Sequence, residues 1–293
     1  MERPIVEAVP NFSEGQRPSV IARLAAAASS VPGAMLLDRT ADADHNRCVL
    51  TIAGEPEAVW EAAVRAAGVA AAEIDLTLHR GVHPRLGACD VLPFVPVAGV
   101  TLEECVALAH RAGEAIWQRF RVPVYFYEAA ARVEARRNLA DVRRGGFENP
   151  TAGPPDVGEG LHPTAGAAIV GARKFLIAYN IHLSTHNLAL AKEIARAIRT
   201  SSGGLPALKA LGLPLASRGL VQVSMNLVDF ERTSIDQVFE AVSRLAAAKG
   251  VAVAASELIG LIPRAAVPKS DVRWENFDES RVLENRLEAA SSR

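Results

Sequence analysis

Cysteine is scarce in this 293-residue chain, which holds three: Cys48, Cys89 and Cys105. Three thiols cannot form a disulfide framework, because each bridge consumes a pair and small disulfide folds need several bridges. No CxxC spacing occurs, although zinc sites built from cysteine commonly use it. The sequence therefore predicts neither a disulfide scaffold nor a cysteine zinc site.

Net charge and long apolar runs are also lacking. The formal net charge is −1 at pH 7, so the chain as a whole offers no attraction for nucleic acid or an anionic membrane surface. Residues 1–15 contain no apolar signal core, and no apolar run approaches the roughly 20 residues that a membrane helix needs. We expect a cytoplasmic protein without a nucleic-acid or membrane partner.

Two widespread site motifs are absent. A phosphate loop of the form GxxxxGK[ST] does not occur, and GAAIVGARK lacks the strand-to-helix context of a dinucleotide fingerprint. A GxSxG elbow is missing as well, so serine catalysis of that type has no support. Cysteine nucleophiles have equally little support.

Apolar residues, in contrast, are abundant and regularly ordered. They make up 49% of the sequence, enough for a sizeable core, and the length suits two subdomains of about 150 residues. Strand-like and helix-like segments alternate, which is typical of an α/β layered fold. The second half follows the order strand, helix, strand, strand, helix, strand of a ferredoxin-like unit, and the first half alternates similarly with extra elements. We predict one subdomain over residues 1–170 and another over residues 171–293.

Local signals define several elements. Thr101–Glu104 is a capping box that predicts the start of a helix. Residues 171–183, GARKFLIAYNIHL, are predicted to form one long strand, and the charged tail from Ser270 to form a loose segment or a surface helix. Residues 144–166 are rich in Gly and Pro and have no periodicity. A loop of this length is usually functional or disordered, and a plain surface loop remains the alternative.

His83 has the most informative setting of the seven histidines. It lies in the loop HRGVHPRLGA, where Gly81 and Gly87 bracket it and Pro84 restricts the backbone that follows. Imidazole both takes and gives a proton near neutral pH, and Arg85 is suited to hold a carboxylate by paired hydrogen bonds. We interpret His83 as a proton-transfer residue, and a solvent-exposed histidine in a polar loop is the alternative.

Two further polar groups are candidates. His79 lies four residues before His83, a metal-binding spacing on a helix, but Gly81 and Pro84 disfavour a helix there. The turn DADHNR lies between two predicted strands and is either an ordinary polar hairpin or a substrate-binding turn. Its candidate substrate-binding residues are Asp44, His45, Asn46 and Arg47.

Four segments in sequence order resemble the glutamate formimidoyltransferase (glutamate formiminotransferase) family. They are VPNFSEG, HRGVHPRLGA with the following DVLPFVPV, GARKFLIAYNIHL, and VQVSMNLVDF. The resemblance covers nearly the whole chain, from about Val6 to about Pro263. It is to the stand-alone form without a cyclodeaminase domain, so cyclisation of the product is expected to need another protein.

The resemblance implies both an activity and an architecture. The activity is transfer of the formimino group from N-formimino-L-glutamate to the co-substrate tetrahydrofolate, which gives 5-formiminotetrahydrofolate and L-glutamate in histidine degradation. The architecture is two ferredoxin-like α/β subdomains with facing sheets and outer helices, which form a tunnel that holds the folate. A homodimer is also implied, and the reaction requires no metal.

Site residues carry over by position. The catalytic histidine of the family lies in an HPR-x-GA motif and falls on His83. The turn Asp156–Gly158 departs from the family's DFG-like turn, and the following stretch lacks the aromatic residues of some relatives, so we expect backbone contacts to the pterin. The folate-binding stretch falls on Gly158, Glu159, Gly160, Leu161, His162, Pro163, Thr164, Ala165 and Gly166.

The chemistry of the residues agrees with this reaction. One imidazole can accept the proton that the folate amine loses and return it to the departing glutamate nitrogen. The substrate carboxylates need cationic partners, for which Arg85, Arg47, Arg173 and Lys174 are candidates. Two alternatives stay open: an N-formyl-L-glutamate donor, which differs by O in place of NH, and a non-catalytic folate-binding subunit.

Overall fold

The computed structural model describes residues 3–43, 45–81, 84–215 and 218–291. These residues form two compact units, Met1–Arg173 and Lys174–Arg293, each with its own sheet and core. The predicted two-subdomain α/β fold is confirmed. The facing sheets and the tunnel that the resemblance implies stay predictions.

In its described residues, the first unit contains a seven-stranded sheet and four α-helices. Its strands are β1 (Ile5–Ala8), β2 (Asn11–Phe12), β3 (Ala34–Asp42), β4 (Arg47–Gly54), β5 (Cys89–Ala98), β6 (Val124–Glu128) and β7 (Ala168–Ala172). Its helices are α1 (Pro18–Ser29), α2 (Pro56–Glu73), α3 (Leu102–Phe120) and α4 (Leu139–Val142).

The strand order of this sheet is that of a ferredoxin-like unit with an extension. β1 and β2 follow one another in a single position, where both pair antiparallel with β4 and β5. β3 pairs antiparallel with β4 at the outer edge, so the core order is β3, β4, β1 with β2, then β5. β7 and then β6 continue the sheet beyond β5 in parallel. These last strands and α3 are the extra elements expected for the first half.

Alternation along the strands gives this sheet two different faces. One face packs against α1, α2 and α3 through apolar side chains such as Val6, Leu50 and Phe94. The capping box predicted at Thr101 is confirmed and starts α3. A smaller apolar cluster, separate from this core, includes Val91, Tyr127 and Ile169 of β5, β6 and β7.

The second unit is a four-stranded antiparallel sheet with two helices in its core. The sheet order is β11, β8, β10, β9, as the ferredoxin-like pattern predicts. The elements are β8 (Ile177–Leu183), α5 (Leu188–Ile198), β9 (Leu208–Leu215), β10 (Leu220–Leu227), α6 (Ile235–Ala247), β11 (Val253–Ile259) and α7 (Leu283–Ser291). No helix in the described ranges is long and apolar enough to cross a membrane.

The single long strand predicted over residues 171–183 is wrong. β7 ends at Ala172 in the first sheet, and β8 begins at Ile177 in the second sheet. Lys174, between them, pairs with Asp229 (2.8 Å) and Glu231 (3.2 Å). A continuous apolar pattern shows that a segment is buried, but it does not show which sheet buries it.

The C-terminal tail is also more ordered than the charge pattern suggests. Val272 and Leu283 are buried, and the Leu283 amide donates to the Ile262 carbonyl at 2.8 Å. Trp274 lies edge-on to the buried Tyr179, with ring centroids 5.4 Å apart. The tail therefore completes the core of the second unit.

We predict that Leu283→Ala lowers the free energy of unfolding by about 2–5 kcal/mol, because the truncation leaves a cavity at a side chain that is 1% exposed. The matched control is Leu211→Ala, where the leucine is 59% exposed and the cost should stay within about 0.5 kcal/mol. Urea unfolding followed by circular dichroism measures both. Equal costs for the two variants would contradict a packed tail.

Candidate active site

The loop that was predicted to carry the chemistry is described on both sides of its centre, up to Gly81 and again from Pro84. Val82 and His83 lie outside the described residues, as does Asp44 in the polar turn. The roles of His83 and Asp44 therefore stay predictions. The flanking residues show how the two ends of this short span are held.

Asn46 holds the part of the loop that precedes Val82 and His83, a two-residue span. Its side-chain Oδ1 accepts a hydrogen bond from the Gly15 amide (2.8 Å), and its Nδ2 donates to the Arg80 carbonyl (2.8 Å). Its backbone has φ 48°, a left-handed conformation that asparagine adopts more readily than most residues. A Cβ on Gly81 would lie 2.8 Å from the Asn46 Cβ, so only glycine permits this approach. The Asn46 amide is thus engaged within the protein.

His79 has a structural setting. Its Nε2 donates to the Asn46 carbonyl at 3.0 Å, and burial lowers the pKa of the ring, so it is neutral at pH 7. Over the ranges that the structure describes, no group of three or more His, Cys, Asp or Glu side chains is placed to hold a metal ion. The His79 ring serves here to pack the loop against the polar turn.

Asp90, at the start of β5, holds the part of the loop that follows the span. The Leu86 amide donates to its Oδ1 at 2.8 Å. Its Oδ2 accepts from Arg47 Nη1 (2.8 Å) and pairs with Arg143 Nη2 (3.0 Å). Burial by itself raises the pKa of this carboxyl, but the charges of Arg143 and Arg47 outweigh burial and hold the pKa below its usual range. Asp90 is therefore a carboxylate at neutral pH.

Arg85 follows the span, and its side chain bonds to the backbone that precedes the span. Its Nη2 donates to the Leu76 carbonyl (3.2 Å) and to Glu148 Oε1 (2.7 Å). A cavity of about 390 Å³ begins at Pro84, directly after the undescribed span. Its walls are Pro84, Arg85, Ala140, Arg143, Arg144, Gly145, Gly146 and Glu148.

The predicted folate-binding stretch divides into two parts. Gly158, Glu159, Gly160 and Leu161 line an open cavity of about 440 Å³, with Tyr125 and four residues of the segment 150–155 forming the rest of the wall. Residues 162–166 form a tight turn closed by hydrogen bonds between the backbones of His162 and Gly166. His162 Nδ1 accepts from the Ala165 amide at 3.0 Å.

This turn is joined to the loop that contains His83. The Leu76 amide donates to the Thr164 carbonyl (2.8 Å), and the Ala88 amide donates to the Ala165 carbonyl (2.9 Å). The Ala167 amide donates to the Leu86 carbonyl at 3.1 Å. The two stretches that the sequence singles out separately are thus one connected structure, while Pro163 is exposed on its surface.

Other predicted contacts are placed as follows. Arg47 donates to Asn11 Oδ1 from Nη2 (2.9 Å) in addition to its pair with Asp90. His45 is half-exposed and pairs with Asp42 through Nδ1 at 3.0 Å. Lys174 belongs to the second unit and is engaged by two carboxylates there. Asn46, Arg47 and Arg85 therefore share one hydrogen-bonded framework.

Sequence patterns missed three residues of this region: Glu7, Arg143 and Glu148. Glu7 is buried on β1 between Val6 and Ala8, which face the helices, so it points to the opposite face of the sheet. Burial raises its pKa from 4.5 to about 7, although the nearby Arg173 charge opposes the shift. A glutamate within the apolar strand IVEA was the available signal.

Both subdomains match family models. The model described as "Formiminotransferase domain, N-terminal subdomain" covers residues 5–173, and the model described as "Formiminotransferase domain" covers residues 178–286. The chain belongs to the formiminotransferase family. The resemblance found in the four motifs is therefore confirmed.

Curated relatives of the formiminotransferase family agree over almost the full length. A glutamate formimidoyltransferase of Streptococcus pyogenes serotype M1 is 44% identical over 97% of this chain and 98% of its own. One from Thermoplasma acidophilum is 40% identical over 98% of this chain and 99% of its own. A formimidoyltransferase-cyclodeaminase of Gallus gallus is 44% identical over 90% of this chain but 51% of its own. The similarity to the two-activity relative is thus confined to about half of that protein.

We predict that Glu7→Gln stabilises the protein at pH 8 by up to about 3 kcal/mol. In the unfolded chain the carboxyl ionises near 4.5 and in the fold near 7, and each pKa unit corresponds to about 1.4 kcal/mol. The parent therefore loses stability between those two pH values as pH rises, and glutamine, which does not ionise, avoids the loss.

Urea midpoints of parent and variant at pH 5 and pH 8 test this. The gain of Glu7→Gln should be small at pH 5 and large at pH 8. Glu240→Gln, at an exposed position of α6, is the control and should show no such pH dependence. A Glu7→Gln effect of the same size at both pH values would disprove the ionisation argument.

Proposed function

We propose that this chain transfers the formimino group of N-formimino-L-glutamate to tetrahydrofolate and releases L-glutamate and 5-formiminotetrahydrofolate, as a step of histidine degradation. The observation that carries the proposal is the match to stand-alone relatives named glutamate formimidoyltransferase, at 40–44% identity over nearly the whole chain. Both family models of the formiminotransferase domain also match the chain.

The proton chemistry is assigned to His83. The secondary amine N5 of the folate attacks the formimino carbon and must lose its proton as the new C–N bond forms. The bond from that carbon to the glutamate nitrogen then breaks, and the departing nitrogen must gain a proton. One imidazole that alternates between base and acid balances both transfers.

The anchoring of the loop supports this role. Only two residues separate Gly81 from Pro84, and the Asn46 and Asp90 side chains bond the backbone on either side of that span. A catalytic group contributes most when it is held close to its productive geometry. The described residues on either side of the span, Arg80 and Leu86, are anchored in this way.

The folate is assigned to the cavity lined by Gly158–Leu161. Its wall combines three prolines, glycine backbone and the Tyr125 ring, a surface suited to a flat heteroaromatic ring with backbone hydrogen bonds. The Tyr125 hydroxyl donates to the Gly153 carbonyl at 2.7 Å, which fixes the ring. An aromatic contact thus comes from β6, outside the predicted stretch.

The donor, N-formimino-L-glutamate, is assigned to the neighbourhood of Arg85. Its guanidinium suits a carboxylate of the glutamate moiety. His45 and Arg47, and with them Asp44, stay candidates for contact with the donor. The homodimer and the cytoplasmic location expected from the sequence stay predictions.

We predict that the purified protein forms 5-formiminotetrahydrofolate from tetrahydrofolate and N-formimino-L-glutamate, and that His83→Ala lowers kcat by about 100-fold or more, as expected when a general acid–base group is lost. Absorbance of the 5-substituted folate measures turnover. The matched control is His186→Ala, which removes an exposed imidazole of the second unit and should retain parental turnover.

A parallel assay with N-formyl-L-glutamate separates the formimino from the formyl reaction. Turnover with the formyl donor alone would replace the proposed donor. Folate binding without turnover of either donor would instead identify a binding subunit. Parental kcat in His83→Ala would refute the role of that imidazole while leaving the reaction itself standing.

A further inference from the structure

The cavity next to Pro84 has an arginine-rich wall that the proposed function has not fully used. Its lining residues include Arg85, Arg143, Arg144 and Glu148. The Arg144 guanidinium also pairs with Asp141, which is not among them. The cavity volume of about 390 Å³ falls in the range of small-molecule sites, roughly 300–1,000 Å³. Such a wall suits an anionic ligand of modest size.

Arg143, like Arg85, is largely buried, whereas the Arg144 side chain is exposed. Arg143 directly follows α4, its side chain is 13% exposed, and its Nε is buried without a hydrogen-bond partner. Arginine keeps its charge in proteins even when burial opposes it. A buried guanidinium is costly unless anions surround it, so its environment is informative about the ligand.

Asp90 fixes the position of this guanidinium. The same carboxylate oxygen that pairs with Arg143 at 3.0 Å also accepts from Arg47 at 2.8 Å. The other oxygen accepts from the Leu86 amide, next to Arg85 in the chain. Asp90 therefore sets the placement of two cavity arginines, one through an ion pair and one through the backbone.

The Arg85 guanidinium already binds a carboxylate, that of Glu148. Glu148, which also lines the cavity, lies with Oε1 2.7 Å from its Nη2. The Glu148 side chain is 62% exposed, so exchanging this pair for a ligand carboxylate costs little. If a ligand carboxylate replaced Glu148 at Arg85, it would occupy the cavity that Arg143 also lines.

We propose that Arg143 and Arg85 together bind a glutamate carboxylate in this cavity, and that Asp90 is the positioning residue that holds Arg143 there. The inference rests on the proposed function, because both the donor and the tail of tetrahydrofolate carry glutamate. The shared chemistry is the carboxylate. Separate KM measurements for the donor and for tetrahydrofolate show which of the two substrates supplies this carboxylate.

The first test is Arg143→Met, which keeps much of the apolar stem and removes the charge. Loss of a charge-assisted hydrogen bond should raise one KM about tenfold or more and change kcat by less than about threefold. A rise in the KM of N-formimino-L-glutamate assigns the carboxylate to the donor. A rise in the KM of tetrahydrofolate, absent when tetrahydropteroate without glutamate is the acceptor, assigns it to the folate tail.

Direct binding separates this inference from the proposed function. Calorimetric titration of the intact protein with L-glutamate needs no turnover, so it tests the cavity even if neither donor reacts. Weaker glutamate binding by Arg143→Met, with partial recovery in Arg143→Lys, supports the site. Arg119→Met is the control, because Arg119 pairs with Glu61 on the helix side of the sheet and should leave binding unchanged.

The positioning role of Asp90 has its own readout. Asp90→Asn keeps one oxygen that can accept from the Leu86 amide and removes the charge that pairs with Arg143. It should therefore raise the same KM as Arg143→Met, and adding it to Arg143→Met should raise that KM no further. Independent effects of the two substitutions would refute positioning through Arg143. Parental KM values and parental glutamate affinity in Arg143→Met would overturn the proposal as a whole.

Discussion

The buried carboxylate of Asp90 is the interaction on which the candidate site depends. It joins four parts of the first unit: β5, where it lies, β4 through Arg47, the end of α4 through Arg143, and the loop through the Leu86 amide. Removing one partner of a buried ion pair typically costs about 3–5 kcal/mol, because the remaining charge is left without compensation. The three ionic groups are therefore mutually dependent, and the loop takes its position from them.

Much of the fold could be predicted from local patterns. The capping box at Thr101 and the order of elements in the second half identify helices and strands whose side chains alternate between core and solvent. The prediction failed at residues 171–183. Apolar residues occur both before and after Arg173, but those before it lie in the first sheet and those after it lie in the second. The prediction also missed the packed tail, since the few apolar residues there, such as Val272, lie among charges.

The candidate site was only partly predictable for a physical reason. Glycine, proline, histidine and arginine together mark the His83 loop, because those residue types restrict a backbone and carry protons or charge. Arg143 and Glu148 give no such signal, since they lie far from the loop in sequence and become relevant only through contacts. Asn46 shows the converse case: the sequence singles it out, but the structure uses both polar ends of its amide to hold the loop.

Backbone hydrogen bonds connect the loop to the predicted folate-binding stretch. Thr164 and Ala165 accept from the Leu76 and Ala88 amides, so the turn of residues 162–166 and both ends of the His83 loop are held as one body. Loops usually move more than the elements they connect, whereas transfer between two substrates needs the proton carrier and the acceptor amine to keep a fixed separation. In the proposed reaction, the backbone bonds that join the predicted folate-binding stretch to the flanks of the loop serve this need. Because these bonds join the two stretches, a substitution in one is expected to shift the backbone of the other.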